Sequence, residues 1–353
     1  MGPEPAGGVS EGLNGLVTAL QANYCSVALE EPGPGGAGQL LCTRRTRLAK
    51  SGQSICVGDR VRVEGIDWPA GRAAVAAVHP RTNLLERPAV ANVSRIVVVV
   101  ALAEPVADPL QLSRFLITAE ASGTPVLPVL SKADLLPATA VADWCRRLQG
   151  WGYAPLAVAA TTGQGLEALR QELQQPGITV ICGPSGVGKS SLLNALLPAL
   201  DLRVTAVSGR LQRGRHTTRH VELFGLAPGA LVADTPGFNR PRLPRDPAAL
   251  GALFPEVRAA LARQGPCRFS DCLHQGEPDC SVGMAWERWP LYRQCLDDLQ
   301  QDLERAPAPS SDPAGLRRRG GRLEPLLAAR YRRSSRRSQR QQEEREDRGP
   351  GQS

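Results

Sequence analysis

The chain is 353 residues long, 42% apolar, with a formal net charge of +8. It is too long for one ordinary domain, it has no run of about 18 apolar residues to cross a membrane, and its start, MGPEPAGGVSEG, lacks the basic and apolar regions of a secretory signal. A reducing cytoplasm is therefore expected, and an odd count of nine cysteines points to free thiols and a metal site rather than a disulfide framework.

Residues 1–12 are rich in Gly and Pro and read as disordered. From 13 to 90 the pattern is all-β. GLVTAL, YCSVALE, LLCTRR, DRVRVEG and AAVAAV are five short runs split by turn residues. An OB-type barrel fits them, with an SH3-like barrel as the competitor. Arg44, Arg45, Arg47 and Lys50 follow one run, and Arg60 and Arg62 lie in another. Such a basic face suits RNA phosphates, with few aromatics for base stacking. The alternative is a solvated charged face.

From 91 to 245 strands and helices alternate. RIVVVVAL, PVLPVL, YAPLAVAA, ITVICG, HVELF and ALVAD read as strands, and the segments between the first five read largely as helices. Strands apolar throughout are buried on both faces, which predicts a parallel α/β sheet. Residues 246–305 read as helices around a Cys/His cluster. Residues 306–353 carry 12 arginines against 6 acidic residues and read as a disordered basic tail. The expected architecture is therefore multidomain.

The stretch Gly183-Pro184-Ser185-Gly186-Val187-Gly188-Lys189-Ser190-Ser191 follows a strand and opens a helix. That is the context of a P-loop. Its backbone N–H groups and the helix N-terminus cradle phosphates, Lys189 reaches the β- and γ-phosphates, and Ser190 ligates Mg²⁺. The apolar strand LVAD leads to Asp234-Thr235-Pro236-Gly237. Asp234 can hold the Mg²⁺ shell and Gly237 can approach the γ-phosphate. Between them lies the basic segment SGRLQRGRHTTRH. It has the composition of a switch loop, with Thr217 or Thr218 as a second Mg²⁺ hydroxyl.

Arginine outnumbers lysine 39 to 3, yet two of the three lysines, Lys132 and Lys189, fall inside nucleotide-like motifs. Ser131-Lys132-Ala133-Asp134 resembles a guanine-reading loop. The Asp134 carboxylate can accept from guanine N1–H and N2–H₂, a donor pair adenine lacks. The loop Ala159-Ala160-Thr161-Thr162-Gly163 follows a strand, and a backbone N–H near Ala160 can meet guanine O6. Cys267-x₄-Cys272-x-His274-x₅-Cys280 offers three thiols and one imidazole. Such a set suits a closed, structural Zn²⁺ site.

The base-reading loops here precede the phosphate loop, the reverse of an ordinary GTPase. With a small barrel before them and a Cys/His cluster after, the chain resembles the ribosome small-subunit-dependent GTPase A family (RsgA, also called YjeQ), whose G domain is circularly permuted. The resemblance covers about residues 13–300. It implies a monomeric, cytoplasmic GTPase that binds GTP and GDP with Mg²⁺, one structural Zn²⁺, and the rRNA of the small (30S) ribosomal subunit, whose late maturation it assists with subunit-stimulated hydrolysis. It also implies the same four zinc positions and a catalytic role for His216. Phe238 stands where many GTPases place a water-orienting Gln, so hydrolysis by the isolated chain is expected to be slow. Two residues depart from the family pattern: Ser131 replaces Asn or Thr, and Ala159 replaces Ser. The alternatives are an RNA-binding GTP switch with little hydrolysis, and a P-loop ATPase or kinase.

Overall fold

A computed structural model describes residues 12–21, 24–44, 54–86, 88–197, 221–234, 241, 243–305, 316–319 and 322–325. The chain divides into two compact units, 1–300 and 301–353.

The first unit opens with β1 (Leu13–Leu20), β2 (Tyr24–Leu29), β3 (Gln39–Arg44), β4 (Arg60–Asp67) and β5 (Arg72–Val78). They pair in the order β1-β2-β3-β5-β4, β4 returns to β1, and β3 runs parallel to β5. This closed five-stranded arrangement is that of an OB-type barrel. Alternate residues fill it. Val17, Cys25, Val27, Leu40, Cys42, Val61, Val63 and Val75 are all buried, as the two-residue period of a strand demands.

A short hairpin, β6 (Leu84–Glu86) and β7 (Ala89–Ala91), leads into the α/β region. There follow β8 (Val93–Ala101), α1 (Pro109–Glu120), β9 (Val126–Ser131), α2 (Ala138–Gly150), β10 (Leu156–Ala157), α3 (Leu166–Leu173), β11 (Gly177–Cys182), α4 (Lys189–Leu196), β12 (Glu222–Ala227) and β13 (Ala230–Asp234). The sheet order is β10-β9-β8-β11-β13-β12. Strand β8 shows why its sequence is apolar throughout. Ile96, Val98 and Val100 enter the core on one face, and Val97, Val99 and Ala101 enter that on the other. Helix α1 begins at Pro109, capped by Asp108, whose side chain accepts from the Leu110 N–H at 2.9 Å. It buries Leu112, Phe115, Leu116 and Ala119, a helical stripe.

One strand is antiparallel and another is shorter than its apolar run. β12 is antiparallel to β13, because only Pro228 and Gly229 separate them and a parallel pair needs a long crossover. The run YAPLAVAA keeps only Leu156–Ala157 as strand. It lies at the sheet edge, and beyond Val158 the chain turns on itself, with Ala159 N–H donating to the Gln164 carbonyl at 2.9 Å.

Residues 247–305 add α5 (Pro247–Leu250), α6 (Pro255–Gln264) and α7 (Trp289–Arg305). Phe254, Val257, Tyr292, Cys295 and Leu296 form their core, joined by Ile117 from α1. In the second unit, within the segment expected to be disordered, β14 (Leu316–Arg319) and β15 (Arg322–Pro325) form an antiparallel hairpin. Among the described residues no helix is long and apolar enough to cross a membrane.

Candidate functional site

The expected phosphate loop, residues 183–191, starts where β11 ends. At Gly183, φ is +143°, and a Cβ there would stand 2.1 Å from the Val99 carbonyl oxygen. Only glycine lets the loop pass β8 so closely. Gly188, at φ +89°, caps α4 in the left-handed region. Lys189 is the first residue of α4, and its Nζ donates to the carbonyls of Gly183 at 2.9 Å and Pro184 at 2.6 Å. The ammonium is thus held against the loop, beside the helix N-terminus with its outward N–H groups. Ser190 follows within the helix. Asp234 ends β13, and its backbone pairs with Ile181 of β11, so the strand bearing Asp234 lies beside the strand that feeds the loop.

The base loops meet this loop from β9. Ser131 is buried at the strand's end, and its Oγ donates to the Val187 carbonyl at 2.6 Å, with the Val100 carbonyl at 3.2 Å. The short serine side chain therefore still bridges to the phosphate loop. Lys132 takes a left-handed conformation, φ +56°. Its Nζ donates to the Glu104 carbonyl, and its Cε lies 4.0 Å from where a Cβ on Gly188 would stand. Asp134 sits on a single 3-10 turn, Ala133–Leu135, and its exposed carboxylate accepts from Thr161 Oγ1 at 2.6 Å. Ala133 N–H donates to the Val158 carbonyl at 3.1 Å, which stitches the two base loops together. Ala159 is fully buried. Ser131, Lys132, Asp134, Ala160, Thr161 and Gly188 line one cavity of about 230 Å³, and Val187 and Ser191 also border it. Residues far apart in sequence thus share one hollow. Its partly apolar walls and few polar groups are typical of a small-molecule site.

Several sequence-based assignments lie outside the described residues: Arg45, Arg47, Lys50, His216, Thr217, Thr218 and Gly237. Of the barrel cations, Arg60 and Arg62 are exposed and alternate with buried Val61 and Val63, which puts them on the outer wall. Arg62 pairs with Glu64 at 3.2 Å. Arg44 is exposed at the end of β3, in step with buried Leu40 and Cys42. It therefore stands at the barrel's end, not in the outer row of Arg60 and Arg62.

The donor atoms of Cys267, Cys272, His274 and Cys280 lie within 4.8 Å of one another. His274 Nδ1 is 3.7, 3.6 and 3.4 Å from the sulfurs of Cys267, Cys272 and Cys280, and the Cys267 and Cys280 sulfurs are 3.9 Å apart. A tetrahedron with Zn–S of about 2.3 Å and Zn–N of about 2.0 Å has edges of roughly 3.8 Å between sulfurs and roughly 3.5 Å from sulfur to nitrogen. The cluster thus fits a zinc ion. His274 takes a left-handed backbone, φ +56°. Its carbonyl accepts from Trp289 Nε1 at 3.1 Å, and the Leu273 carbonyl accepts from the Tyr292 hydroxyl at 2.6 Å. Glu277 accepts from the N–H groups of Leu273 and Gln275 at 2.8 and 2.7 Å. Burial lowers the imidazole's pKa, favouring the neutral ring that ligates metal. None of the nine cysteines forms a disulfide.

One structural residue escaped the sequence analysis. Arg288 is fully buried, with its guanidinium 4.7 Å from the Trp151 ring centre, 5.7 Å from Tyr153 and 4.6 Å from Phe254. Its Nε donates to Glu256 at 2.6 Å. Trp151 and Tyr153 belong to the segment that joins the two base loops, and Phe254, Glu256 and Arg288 belong to the region of α6 and α7. Guanidinium groups stack on aromatic faces, but the rings that enclose Arg288 come from distant parts of the chain, so no local stretch of sequence marked it.

The family model described as RsgA GTPase matches residues 78–244. A protein of Synechococcus sp. (strain CC9605) named "Small ribosomal subunit biogenesis GTPase RsgA" is 59% identical over 292 residues, which cover 83% of this chain and 95% of the relative. A Thermosynechococcus vestitus protein of the same name is 51% identical over 330 residues, covering 92% and 94%. Among solved structures, YjeQ from Thermotoga maritima superposes with a TM-score of 0.68 at 30% identity, covering 82% of this chain and 99% of that one. YloQ, described as a circularly permuted GTPase, gives 0.68 at 26% identity, with 85% and 99% covered. With that identity sustained over nearly the whole length of its relatives, the chain belongs to the RsgA GTPase family.

Proposed function

We propose that this chain hydrolyses GTP on the small ribosomal subunit and assists that subunit's late maturation. The relatives' shared name supports the process. The observation that carries the chemistry is the hydrogen bond from Ser131 to the Val187 carbonyl. It sets a guanine-type loop against a phosphate loop although their order along the chain is reversed.

In this reading guanine occupies the cavity beside Asp134, whose carboxylate accepts from N1–H and N2–H₂. The stem of Lys132 covers the base. Ala160 presents a backbone N–H to O6. The N–H groups of residues 183–191 cradle the phosphates, and Lys189 exchanges its loop carbonyls for the β- and γ-oxygens. Ser190, Asp234 and Thr217 or Thr218 are the oxygen donors that would hold Mg²⁺, a hard cation suited to them. Bound there, the ion would supply charge neutralisation for the phosphate oxygens. Gly237 approaches the γ-phosphate. His216, in the switch segment, orients the attacking water in place of a Gln.

The Cys267, Cys272, His274 and Cys280 set holds one structural Zn²⁺. Arg44, Arg60 and Arg62, with Arg45, Arg47 and Lys50, contact rRNA phosphates. The protein acts as a cytoplasmic monomer without a membrane partner. A second reading, a GTP switch with little hydrolysis of its own, is favoured by Phe238 in the usual glutamine position.

Competition against a fluorescent GTP analogue tests the base assignment. GTP and GDP should displace it and ATP should not. Equal displacement by ATP would turn the reading toward a P-loop ATPase.

A further inference from the structure

We propose that Thr161 is a positioning residue for base recognition: its hydroxyl fixes the Asp134 carboxylate in the orientation that reads guanine. The proposal rests on the guanine reading of Asp134 given above. Asp134 is exposed, and a solvated aspartate turns freely about its terminal torsion. A carboxylate that must meet two donors at once then has an ordering cost on binding.

The bond from Thr161 Oγ1 to Asp134 Oδ2 is 2.6 Å long, within the range of a hydroxyl donating to a charged oxygen. A carboxylate offers about four lone-pair sites. One is occupied by Thr161, and acceptors remain for N1–H and N2–H₂. The donor is itself held in place. Threonine is β-branched and stiff about χ1. Its loop is closed by Ala159 N–H on the Gln164 carbonyl at 2.9 Å and Gly163 N–H on the Ala159 carbonyl at 3.0 Å. No neighbour duplicates it. Ala159 and Ala160 carry no side-chain donor, and Thr162 Oγ1 accepts from the Gln164 N–H at 3.4 Å.

Thr161→Val removes the hydroxyl at nearly constant shape, and Thr161→Ser keeps it. Both are compared with the unaltered chain by displacement of fluorescent GDP with GDP and with IDP, whose base lacks the N2 amine. Thr161→Val should weaken GDP about tenfold, equivalent to ~1.4 kcal/mol. IDP should weaken less, so that the preference for GDP over IDP narrows, and Thr161→Ser should restore most of it. Unchanged GDP affinity, or equal losses for GDP and IDP, would overturn the role of Thr161. Asp134→Asn is measured alongside. If it weakens GDP while Thr161→Val does not, Thr161 alone is misassigned. If neither change weakens GDP, the guanine reading fails as well.

Discussion

Ser131 Oγ donates to the Val187 carbonyl at 2.6 Å, and Val187 is buried. The bond is the direct link between the end of β9 and the phosphate loop. Removing the hydroxyl leaves a buried carbonyl without that donor, a loss of about 1–3 kcal/mol. Ser131→Ala should therefore weaken GDP by about tenfold or more and lower the melting temperature. Calorimetric titration with parallel thermal melts measures both, and unchanged values would remove Ser131 from the bridge.

Lys189 is tethered to the Gly183 and Pro184 carbonyls. Its ammonium is the fixed counter-charge of the loop, so Lys189→Ala should abolish tight GTP binding or turnover while the fold survives. Filter binding and circular dichroism on the same sample separate these effects. Normal hydrolysis by this variant would displace the nucleotide site.

Arg288 and Glu256 form a buried ion pair enclosed by Trp151, Tyr153 and Phe254. Glu256→Ala strands the guanidinium charge inside the molecule, which costs about 3–5 kcal/mol. Arg288→Met removes the charge and keeps an apolar side chain, so it should cost less. Urea denaturation gives both values. A loss near zero for Glu256→Ala would mean that the pair is open to water.

The metal cluster predicts about one zinc per chain by elemental analysis. Chelation should unfold residues near 267–280, because structural metal binding contributes folding energy, and should expose three further reactive thiols. Cys25 and Cys42 should stay unreactive, since burial pushes their thiols up to about 11 and about 12. Burial also lowers the His274 pKa below the usual 6.5. The folded state thus prefers the neutral ring, and that contribution is present above pH 6.5 and lost as acid protonates the imidazole. Zinc release followed against pH should begin below that value. Protein purified without any zinc would count against the cluster.

Much of the candidate site was legible because its chemistry is local. Gly183, Gly188 and Lys189 must fall at fixed offsets for a strand to turn into a helix around phosphates. The cluster spacing from Cys267 to Cys280 was legible for the same reason. Pairing was less so. The choice of an OB-type barrel rests on β4 returning to β1 and β3 lying beside β5, contacts that no window of sequence contains. The direction of HVELF was not set by its residue types, and only the two-residue link Pro228-Gly229 to ALVAD makes the pair antiparallel. The edge position of β10 shortened an apolar run that looked like a full strand. Arg288 counted as one arginine among 39, and only folding brings Trp151, Tyr153 and Phe254 around it. The bond from Thr161 to Asp134 likewise depends on two loops meeting.

The central claim is a GTPase whose turnover depends on the small ribosomal subunit. Phosphate release from GTP, measured with the purified chain alone, with small subunits and with large subunits, tests it most directly. The account predicts slow turnover alone, a rise of at least tenfold with small subunits, and no rise with large ones. GTP turnover that small subunits leave unchanged, while the protein remains folded and binds GTP, would contradict it.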